Sequence, residues 1–337
     1  MFWGEEEPII VPNVKMLNKI SLTNFRNYEK REFEFGKNNI VIGNNGVGKS
    51  NLLEAIYLLA TGKSFRADND MEMIVYGQQF SIVSSENLQI TITDRKKFEV
   101  NGIPRRMIDF VGNMRAVLFA PQDMELISGS PGYRRRYLDF VITQTDREYR
   151  RSLISYEKGL RQRNKLLSLI REGLPQRHQL YFWDHLLIKD GEYLTLARQK
   201  YLGDLGDKGD VGYRAIYDKS IITEERLKQY EVEEVASATT LVGPHRDDFQ
   251  ITSEGKDVSK FGSRGQQRMA VLWLKQGEIR FLGGDPILLL DDIFSELDHG
   301  HREEVMKLVS DYGGQVIATT ADEHLLPNIN DINITRI

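Results

Sequence analysis

The stretch that most constrains the fold of this chain is a glycine-rich gap between two apolar segments. The sequence IVIGNNGVGKSNLLEAI spans residues 40–56, and its middle follows the spacing G-x-x-x-x-G-K-[ST]. Glycines let a backbone curl so that successive N–H groups point at phosphate oxygens, and the helix behind them adds its positive end. A plain turn between a strand and a helix is the simpler alternative, but the full pattern favours nucleotide binding. The phosphate-contacting residues predicted from this loop are Gly43, Asn44, Asn45, Gly46, Val47, Gly48, Lys49 and Ser50.

Two residues of this loop have predicted chemical roles that need a partner elsewhere in the chain. Lys49 would bridge the β- and γ-phosphates of ATP, and Ser50 would hold Mg²⁺. The run PILLLDD at 286–292 is typical of a buried strand that ends in two carboxylates. Asp291 would be a metal ligand through water, and Asp292 would polarise the water that attacks the γ-phosphate. Two carboxylates after a strand also suit a helix cap, but their pairing with the phosphate loop favours catalysis.

A second glycine-containing turn precedes another helical pattern. In FGSRGQQRMAVLWLKQ, residues 261–276, Ser263 and Gly265 come just before apolar residues at helical spacing. A serine N-cap with a glycine turn explains this stretch without a ligand. One ATP rarely needs two helix N-termini from one subunit, so the spare N-terminus suggests that a second subunit completes the site.

Composition limits the classes of protein that the chain can belong to. The chain has 337 residues, 40% of them hydrophobic and none of them cysteine, so disulfides, thiol catalysis and Cys-ligated metal are excluded. No apolar run approaches the ~18 residues of a membrane span. The start, MFWGEEEPIIVP, lacks a basic-then-apolar export signal. We therefore expect a cytoplasmic protein with no membrane partner.

The net charge of −4 hides an uneven distribution. Residues 131–180 contain 12 Lys and Arg against 5 Asp and Glu, a net charge of +7, so the rest of the chain carries −11. Such a segment is either a solvated helix face or a surface for nucleic-acid phosphates, and charge alone does not separate the two. The candidate DNA-binding residues are Arg134, Arg135, Arg136, Arg150, Arg151, Arg161 and Lys165.

The order of predicted elements indicates an α/β unit interrupted by a helical insertion. Residues 1–15 resemble a loose arm, and Met16 is a candidate for the true start. The first part of the ATPase lobe would cover 16–143, the helical lobe 144–235, and the second part 236–337. An apolar helix face is predicted from Leu153, Tyr156, Leu160, Leu167 and Ile170. Strands are predicted in LNKISLTNF, EFEF, NNIVIG, an antiparallel meander over 80–102 with a tight turn at Asn101-Gly102, AVLFAP, ATTLVG, DFQITS, PILLLDD, GQVIATT and INITRI.

The order of the motifs resembles that of a known family. A phosphate loop, GSRGQQ, LLLDD and SELD follow one another as in the ATPase head shared by ABC and SMC-type proteins. Within that group the chain is similar to the RecF family of bacterial recombination mediators, from Met16 to the end. The matching segments are NFRNY (24–28), GNNGVGKSNLLEAIYLLATGKSFR (43–66), FAPQDMELISGSPGYRRRYLD (119–139), TLVGPHRDDF (240–249), FGSRGQQR (261–268), LLLDDIFSELD (288–298) and QVIATT (315–320).

The resemblance implies a P-loop head with a mixed sheet, a small antiparallel β subdomain and an inserted helical lobe. ATP would join two protomers head to tail, so that the phosphate loop of one faces Ser263, Gly265 and Gln266 of the other. Asp298 would lie near the dimer seam and Arg26 near the nucleotide. The dimer would clamp single-stranded, gapped or junction DNA and help RecO and RecR load RecA, in gap repair and the SOS response.

Two positions depart from the patterns of related heads. Gln122 stands where the family often has an acidic residue, and it would take the metal- and water-sensing role of a glutamine in ABC heads. Asp292 stands where ABC transporters have Glu, and its shorter side chain predicts slow hydrolysis. We also expect DNA to stimulate this hydrolysis.

Other functions share parts of this pattern. A transporter ATPase subunit would need a surface for a membrane partner, which the basic segment suits poorly. An SMC-type structural protein would need a long coiled coil, but only 236 residues lie between Ser50 and Ile287. A nucleotide-switched, DNA-binding scaffold without useful hydrolysis stays open, because both carboxylates serve binding as well as chemistry.

His299 and His301 suit a solvated helix start better than a metal site, and His245 has no role that the sequence reveals.

Overall fold

The computed structural model describes residues 16–174, 177–206, 212–292, 307, 309–321 and 332–337. The chain forms two compact units, one that runs up to Pro121 and resumes at Glu278, and one that consists of Gln122–Gly277. The family-based lobe limits, near 143 and 236, divide the chain differently and stay a prediction.

The described elements are runs of strands interspersed with helices along the chain. The strands are β1 Lys19–Phe25, β2 Tyr28–Glu34, β3 Asn38–Ile42, β4 Ser81–Ser85, β5 Leu88–Ile92, β6 Lys96–Val100, β7 Ile103–Arg105, β8 Ala116–Phe119, β9 Tyr213–Asp218, β10 Asp248–Ser253, β11 Lys256–Asp257, β12 Ile287–Asp291, β13 Val316–Thr320 and β14 Ile332–Arg336. The helices are α1 Lys49–Thr61, α2 Met107–Phe110, α3 Glu125–Ser128, α4 Pro131–Thr143, α5 Arg147–Arg171, α6 Tyr181–Gly206, α7 Glu224–Gln229, α8 Glu231–Ser237, α9 Val258–Phe261 and α10 Arg264–Leu282.

The first unit contains two sheets. One has the strand order β14-β3-β13-β12-β8, and each described pairing in it is parallel. Its central strands are buried on both faces, which explains why they read as continuous apolar runs. The other has the order β2-β1-β4-β5-β6-β7 and is antiparallel. The predicted α/β class is confirmed, and in detail the antiparallel strands form a six-stranded sheet separate from the parallel one.

Helix α1 fixes the phosphate loop in this unit. It contacts strands of both sheets, and nearly all of its side chains are buried, as expected for a helix that is apolar all round. It starts after Gly48, at φ +116°, and ends at Gly62, at φ +70°. Both are left-handed conformations that glycine adopts without strain, so the two glycines set the length of the helix.

The second unit is mainly helical and includes a small antiparallel sheet in the order β11-β10-β9. Helices α5 and α6 pack against one another. The predicted apolar face of α5 is confirmed, because Leu153, Tyr156 and Leu167 are buried.

Two local predictions for the second unit were wrong. ATTLVG is not a strand, because α8 ends at Ala238 in a left-handed conformation and the following backbone bonds to side chains instead of to a sheet. The N–H of Thr240 donates to Oδ1 of Asn164 at 2.8 Å, and that of Leu241 donates to Oε1 of Glu234 at 2.8 Å. Strand β9 was not predicted, since it lies in a region that the sequence indicated to be helical.

Among the described helices, none combines the length and the apolar composition needed to cross a lipid bilayer.

Candidate nucleotide-binding site

The phosphate loop lies between the end of β3 and the start of α1, where its predicted residues come together. The N–H of Gly43 donates to the carbonyl oxygen of Thr320 at 3.3 Å, which ties the loop to the end of β13. A Cβ on Gly43 would lie 2.5 Å from the carbonyl oxygen of Ile337, so only glycine fits there. Gly46, at φ +85°, lies at the exposed mouth of the loop beside Asn44 and Asn45. The curled backbone predicted from the sequence is thus present.

Lys49 points back into this loop. Its Nζ donates to the carbonyl oxygens of Gly43, at 2.6 Å, and Asn44, at 3.0 Å, and the side chain is buried. An ammonium group held at the centre of the loop is placed to meet the phosphates of a nucleotide, exchanging carbonyl acceptors for stronger anionic ones.

The loop and the end of β12 meet through Ser50 and Asp291. The Ser50 hydroxyl donates to Oδ1 of Asp291 at 2.8 Å, although 241 positions separate them in the sequence. Burial raises the pKa of Asp291, and hydrogen bonds from Ser50 and Thr319 partly offset this rise, as does the nearby cation of Arg66. A hydroxyl and a carboxylate that converge in this way offer the hard oxygen ligands that Mg²⁺ prefers.

Thr319, on β13, is a site residue that the sequence analysis did not single out. Its hydroxyl donates to Oδ1 of Asp291 at 3.0 Å and accepts from the backbone N–H of Asp292, also at 3.0 Å. Strands β12 and β13 place Thr319 opposite Asp291 in their parallel register. One threonine therefore positions both carboxylate residues. The signals available for it in the sequence were the strand predicted over GQVIATT and the family match of QVIATT, which contains this residue.

Asp292 leaves the strand with φ +48°, a left-handed conformation that Asp tolerates better than most residues. The backbone therefore changes direction between Asp291, which ends the strand, and Asp292.

The turn between β1 and β2 braces the phosphate loop from the side. Nδ2 of Asn27 donates to the carbonyl oxygen of Val47 at 2.8 Å, and the Tyr28 hydroxyl donates to that of Gly48 at 3.1 Å. A Cβ on Gly48 would lie 2.6 Å from Nδ2 of Asn27, so this close approach requires the glycine. Asn27 and Tyr28 belong to the NFRNY motif, but their contact with the loop was not predicted.

Arg26, from the same turn, is engaged with α1. Its guanidinium forms a two-point pair with Glu54, Nε to Oε2 at 2.8 Å and Nη2 to Oε1 at 2.7 Å, and Nη1 donates to the carbonyl oxygen of Glu72 at 2.8 Å. Glu54 is fully buried. Arg26 thus anchors the turn to the helix behind the phosphate loop, and a direct contact with the nucleotide stays a prediction.

The glycine-containing turn at the start of α10 forms a capping box. The N–H of Gln266 donates to Oγ of Ser263 at 3.2 Å, and the N–H of Ser263 donates to Oε1 of Gln266 at 2.8 Å. Ser263, Arg264 and Gln266 are exposed, and Gly265 is half-buried. The turn is therefore preformed and accessible in the second unit.

Two other predicted site residues have no described contact that defines their role. Gln122 is exposed, in a single helical turn over Pro121–Met124. Asp298 of SELD, like His299 and His301, lies outside the described residues.

Four of the seven candidate DNA-binding residues have described partners within the second unit. Arg134 forms a two-point pair with Asp248, at 2.6 and 2.8 Å, and is buried. The other three are held by backbone or by side chains: Arg135 by the carbonyl oxygen of Asp247, Arg150 by that of Thr143, and Arg151 by Glu148 and Asp190. Arg136, Arg161 and Lys165 are exposed.

The parallel sheet carries a phosphate loop after β3 and two neighbouring carboxylates at the end of β12, and a capped turn precedes α10. Together these features define a P-loop ATPase head of the ABC and SMC kind. The family model described as RecF/RecN/SMC N terminal domain matches residues 16–335. The chain belongs to the RecF family: it is 36% identical to the DNA replication and repair protein RecF of Moorella thermoacetica, over 92% of this chain and 91% of the relative. The RecF of Thermomicrobium roseum is 32% identical over 88% and 91% of the two chains.

Solved structures agree with this assignment. A structure of the recombination mediator protein RecF-ATP in the RecFOR pathway has a TM-score of 0.84 and 30% identity, over 95% of each chain. An Smc head domain from Pyrococcus furiosus, at 16% identity and a TM-score of 0.51, is similar in fold alone.

Proposed function

We propose that this chain is an ATP-dependent, DNA-binding recombination mediator of DNA replication and repair. The observation that carries the proposal is the hydrogen bond between Ser50 and Asp291, because it joins the end of the phosphate loop to the strand that ends in two carboxylates. The RecF relatives, one of them solved as RecF-ATP, support ATP as the nucleotide.

The residues at this bond fit Mg²⁺. Among the described residues, no three His, Cys, Asp or Glu side chains cluster as ligands of a fully protein-held metal would. Mg²⁺ commonly takes one or two protein oxygens and completes its shell with water and phosphate. Ser50 and Asp291 would hold it there, and the ion would neutralise charge that develops on the phosphates.

The protein groups divide the remaining work of hydrolysis. Lys49 exchanges its carbonyl acceptors for phosphate oxygens, and the N–H groups of the loop orient the triphosphate. Asp292 accepts a hydrogen bond from the attacking water and aligns it. Its side chain is shorter than the Glu of ABC transporters, so we expect slow turnover. We expect DNA to stimulate this turnover.

The exposed turn around Ser263, Gly265 and Gln266 completes the site of a second copy. With its side-chain cap already formed, the turn needs little reordering to receive the γ-phosphate of a partner's ATP. ATP thus joins two protomers head to tail, with Asp298 expected at the seam, and hydrolysis separates them.

The dimer clamps DNA and, with RecO and RecR, aids the loading of RecA. The phosphate-contacting residues that we retain are the exposed ones, Arg136, Arg161 and Lys165. Because the ATP-bound dimer brings two copies together, ATP should tighten DNA binding, and DNA should stabilise the dimer by the same factor.

The test is the DNA affinity of the full chain at several salt concentrations, with and without a non-hydrolysable ATP analogue. We expect the analogue to tighten binding and to shift the protein to a dimer in sedimentation. The Lys49→Ala variant is the control, and it should show neither effect. Equal affinities with and without the analogue would refute the clamp, even if DNA binds.

A further inference from the structure

A chain of side-chain hydrogen bonds ends on the phosphate loop. Nδ2 of Asn27 donates to the carbonyl oxygen of Val47 at 2.8 Å, and Nδ2 of Asn51 donates to Oδ1 of Asn27 at 2.9 Å. Nη1 of Arg66 in turn donates to Oδ1 of Asn51 at 3.1 Å. The side chains of Asn27, Asn51 and Arg66 are here called the amide chain. All three belong to the first unit, which also contains the loop.

The amide chain has a fixed direction. A side-chain amide can turn over and exchange its donor for its acceptor, so its neighbours decide which way it faces. A guanidinium has donors only, so Oδ1 of Asn51 must face Arg66, and Nδ2 of Asn51 is left to face Asn27. Asn27 then accepts with Oδ1, and its own Nδ2 is left to face the carbonyl oxygen of Val47. The cation at one end therefore determines which atom the loop meets at the other end.

The cationic end of the amide chain is anchored to helix α1. The hydroxyl of Ser64 accepts from the backbone N–H of Arg66 at 2.9 Å and from that of Ala67 at 2.8 Å. The same hydroxyl donates to Oε1 of Glu54, which is fully buried on α1. Asn51 stands on the first turn of this helix. The backbone of Arg66 and the amide that it meets are therefore both held by α1.

The group that the amide chain orients is the peptide between Val47 and Gly48. This peptide is trans, so its carbonyl oxygen and its N–H point in opposite directions. With the oxygen of Val47 held towards Asn27, the N–H of Gly48 points away from Asn27. Among the residues that the structure describes, none accepts a hydrogen bond from that N–H. An oriented N–H without an acceptor in a phosphate loop is suited to a phosphate oxygen.

We propose that Asn51 and Arg66 are positioning residues of the nucleotide site, which act through Asn27 and hold the N–H of Gly48 towards the phosphates of ATP. The inference rests on the proposed ATP-dependent function and adds two residues that lie outside the loop itself. When the amide chain is broken, Asn27 is free to turn over and to present its oxygen to the oxygen of Val47. Two acceptors that face one another repel, so the peptide rotates and the loop loses a donor to phosphate.

The experiment measures the affinity of the full chain for a fluorescent, non-hydrolysable ATP analogue in the presence of Mg²⁺. Asn27→Ala should weaken binding about fivefold, as the loss of one orienting hydrogen bond predicts. Asn51→Ala and Arg66→Ala should each weaken binding by a similar factor. When either is combined with Asn27→Ala, it should add less than about twofold, because the amide chain is already broken. Arg66→Lys retains a cationic donor and should restore most of the affinity.

A spectroscopic readout and a control variant accompany the affinities. In protein with isotope-labelled glycine, the amide resonance of Gly48 should shift when the analogue binds to the parent, and the shift should be smaller in Asn51→Ala and in Arg66→Ala. A loss of stability alone would not change this shift in the bound protein. Gln79→Ala removes an exposed amide of the same unit and should alter neither the affinity nor the resonance.

The failures are distinguishable. A parent that does not bind the ATP analogue would refute the proposed function itself. If the parent binds and Asn51→Ala binds equally well, the amide chain has no role in the site. If Arg66→Ala costs as much beside Asn27→Ala as it does alone, Arg66 acts by its charge and not through the amides, which would overturn the inference while the proposed function stands.

Discussion

At the scale of single residues, the carboxylate of Asp291 depends on two hydroxyl groups. Ser50 and Thr319 both donate to its Oδ1, and they oppose the rise in pKa that burial causes. The pKa of Asp291 is higher in the folded state than in the unfolded chain, so the folded state keeps the carboxyl proton to a higher pH. As pH rises between these two pKa values, Asp291 lowers the free energy of unfolding unless a cation binds. Only the ionised carboxylate is a metal ligand.

Thr319→Val should therefore impair metal use at low pH. With one donor removed, burial raises the pKa of Asp291 further, so the acid limb of ATP hydrolysis should move to higher pH and more Mg²⁺ should be needed for half-maximal activity. Thr319→Ser retains the hydroxyl and should restore both values. An unchanged pH profile in the valine variant would show that Thr319 does not tune this site.

Asp292→Asn should separate binding from hydrolysis. Asn tolerates the left-handed backbone of this position as Asp does, and Asp291 is untouched, so ATP should still bind and the dimer should last longer. Hydrolysis should fall by about two or more orders of magnitude, because the group that aligns the water is lost. Turnover at the parent rate, measured as phosphate release, would mean that another residue has this role.

At the scale of elements, the GPHRDDF segment is a packing centre of the helical unit. Gly243 has φ +126°, and a Cβ there would collide with the hydroxyl of Tyr156. Nε2 of His245 donates to the carbonyl oxygen of Thr240 at 3.0 Å, so its Nδ1 accepts from the Tyr156 hydroxyl at 2.8 Å. Asp247 is buried against Arg198 at 2.9 Å. The role of His245 that the sequence does not reveal is therefore to join α5 to this segment as a neutral ring.

His245 should make the stability of the chain dependent on pH. Burial, together with nearby arginine cations, lowers its pKa to about 4, against 6.5 as its ordinary value. The unfolded chain therefore binds the proton first, and stability should fall as pH decreases from about 6.5, by at most about 1.4 kcal/mol per pH unit. Thermal melts at pH 7 and pH 5 should differ more for the parent than for His245→Asn. Equal differences would exclude the histidine as the source.

At the scale of the whole molecule, the residues predicted to serve one ATP are carried by both compact units. Lys49, Ser50 and Asp291 belong to the first unit, whereas Ser263, Gly265 and Gln266 belong to the second. If two copies complete each other's sites, a defect in one group of residues can be compensated by a partner that carries the other defect.

A mixture of Ser263→Arg and Lys49→Ala proteins tests this arrangement. Each variant alone should be inactive, because the arginine fills the docking position of the γ-phosphate and the alanine removes the phosphate-binding cation. Their mixed dimer retains one intact composite site, so ATPase activity should return in part. If mixed dimers form and no activity returns, each subunit works with its own residues.

The sequence by itself determined the phosphate loop, the carboxylates after the buried strand, the capped turn before α10 and the family. Each of these is a short continuous pattern whose chemistry depends on neighbours in the chain. Which cations stay available was decided only by tertiary structure. Arg134 and Lys165 are both cations of the basic segment, but Arg134 is buried and paired with Asp248, 114 positions away, whereas Lys165 is exposed. Thr319, Asn27 and Tyr28 support the site from 20 to 28 positions away in the chain. A hydrogen bond depends on atoms that folding brings together, and a single sequence does not list those pairs.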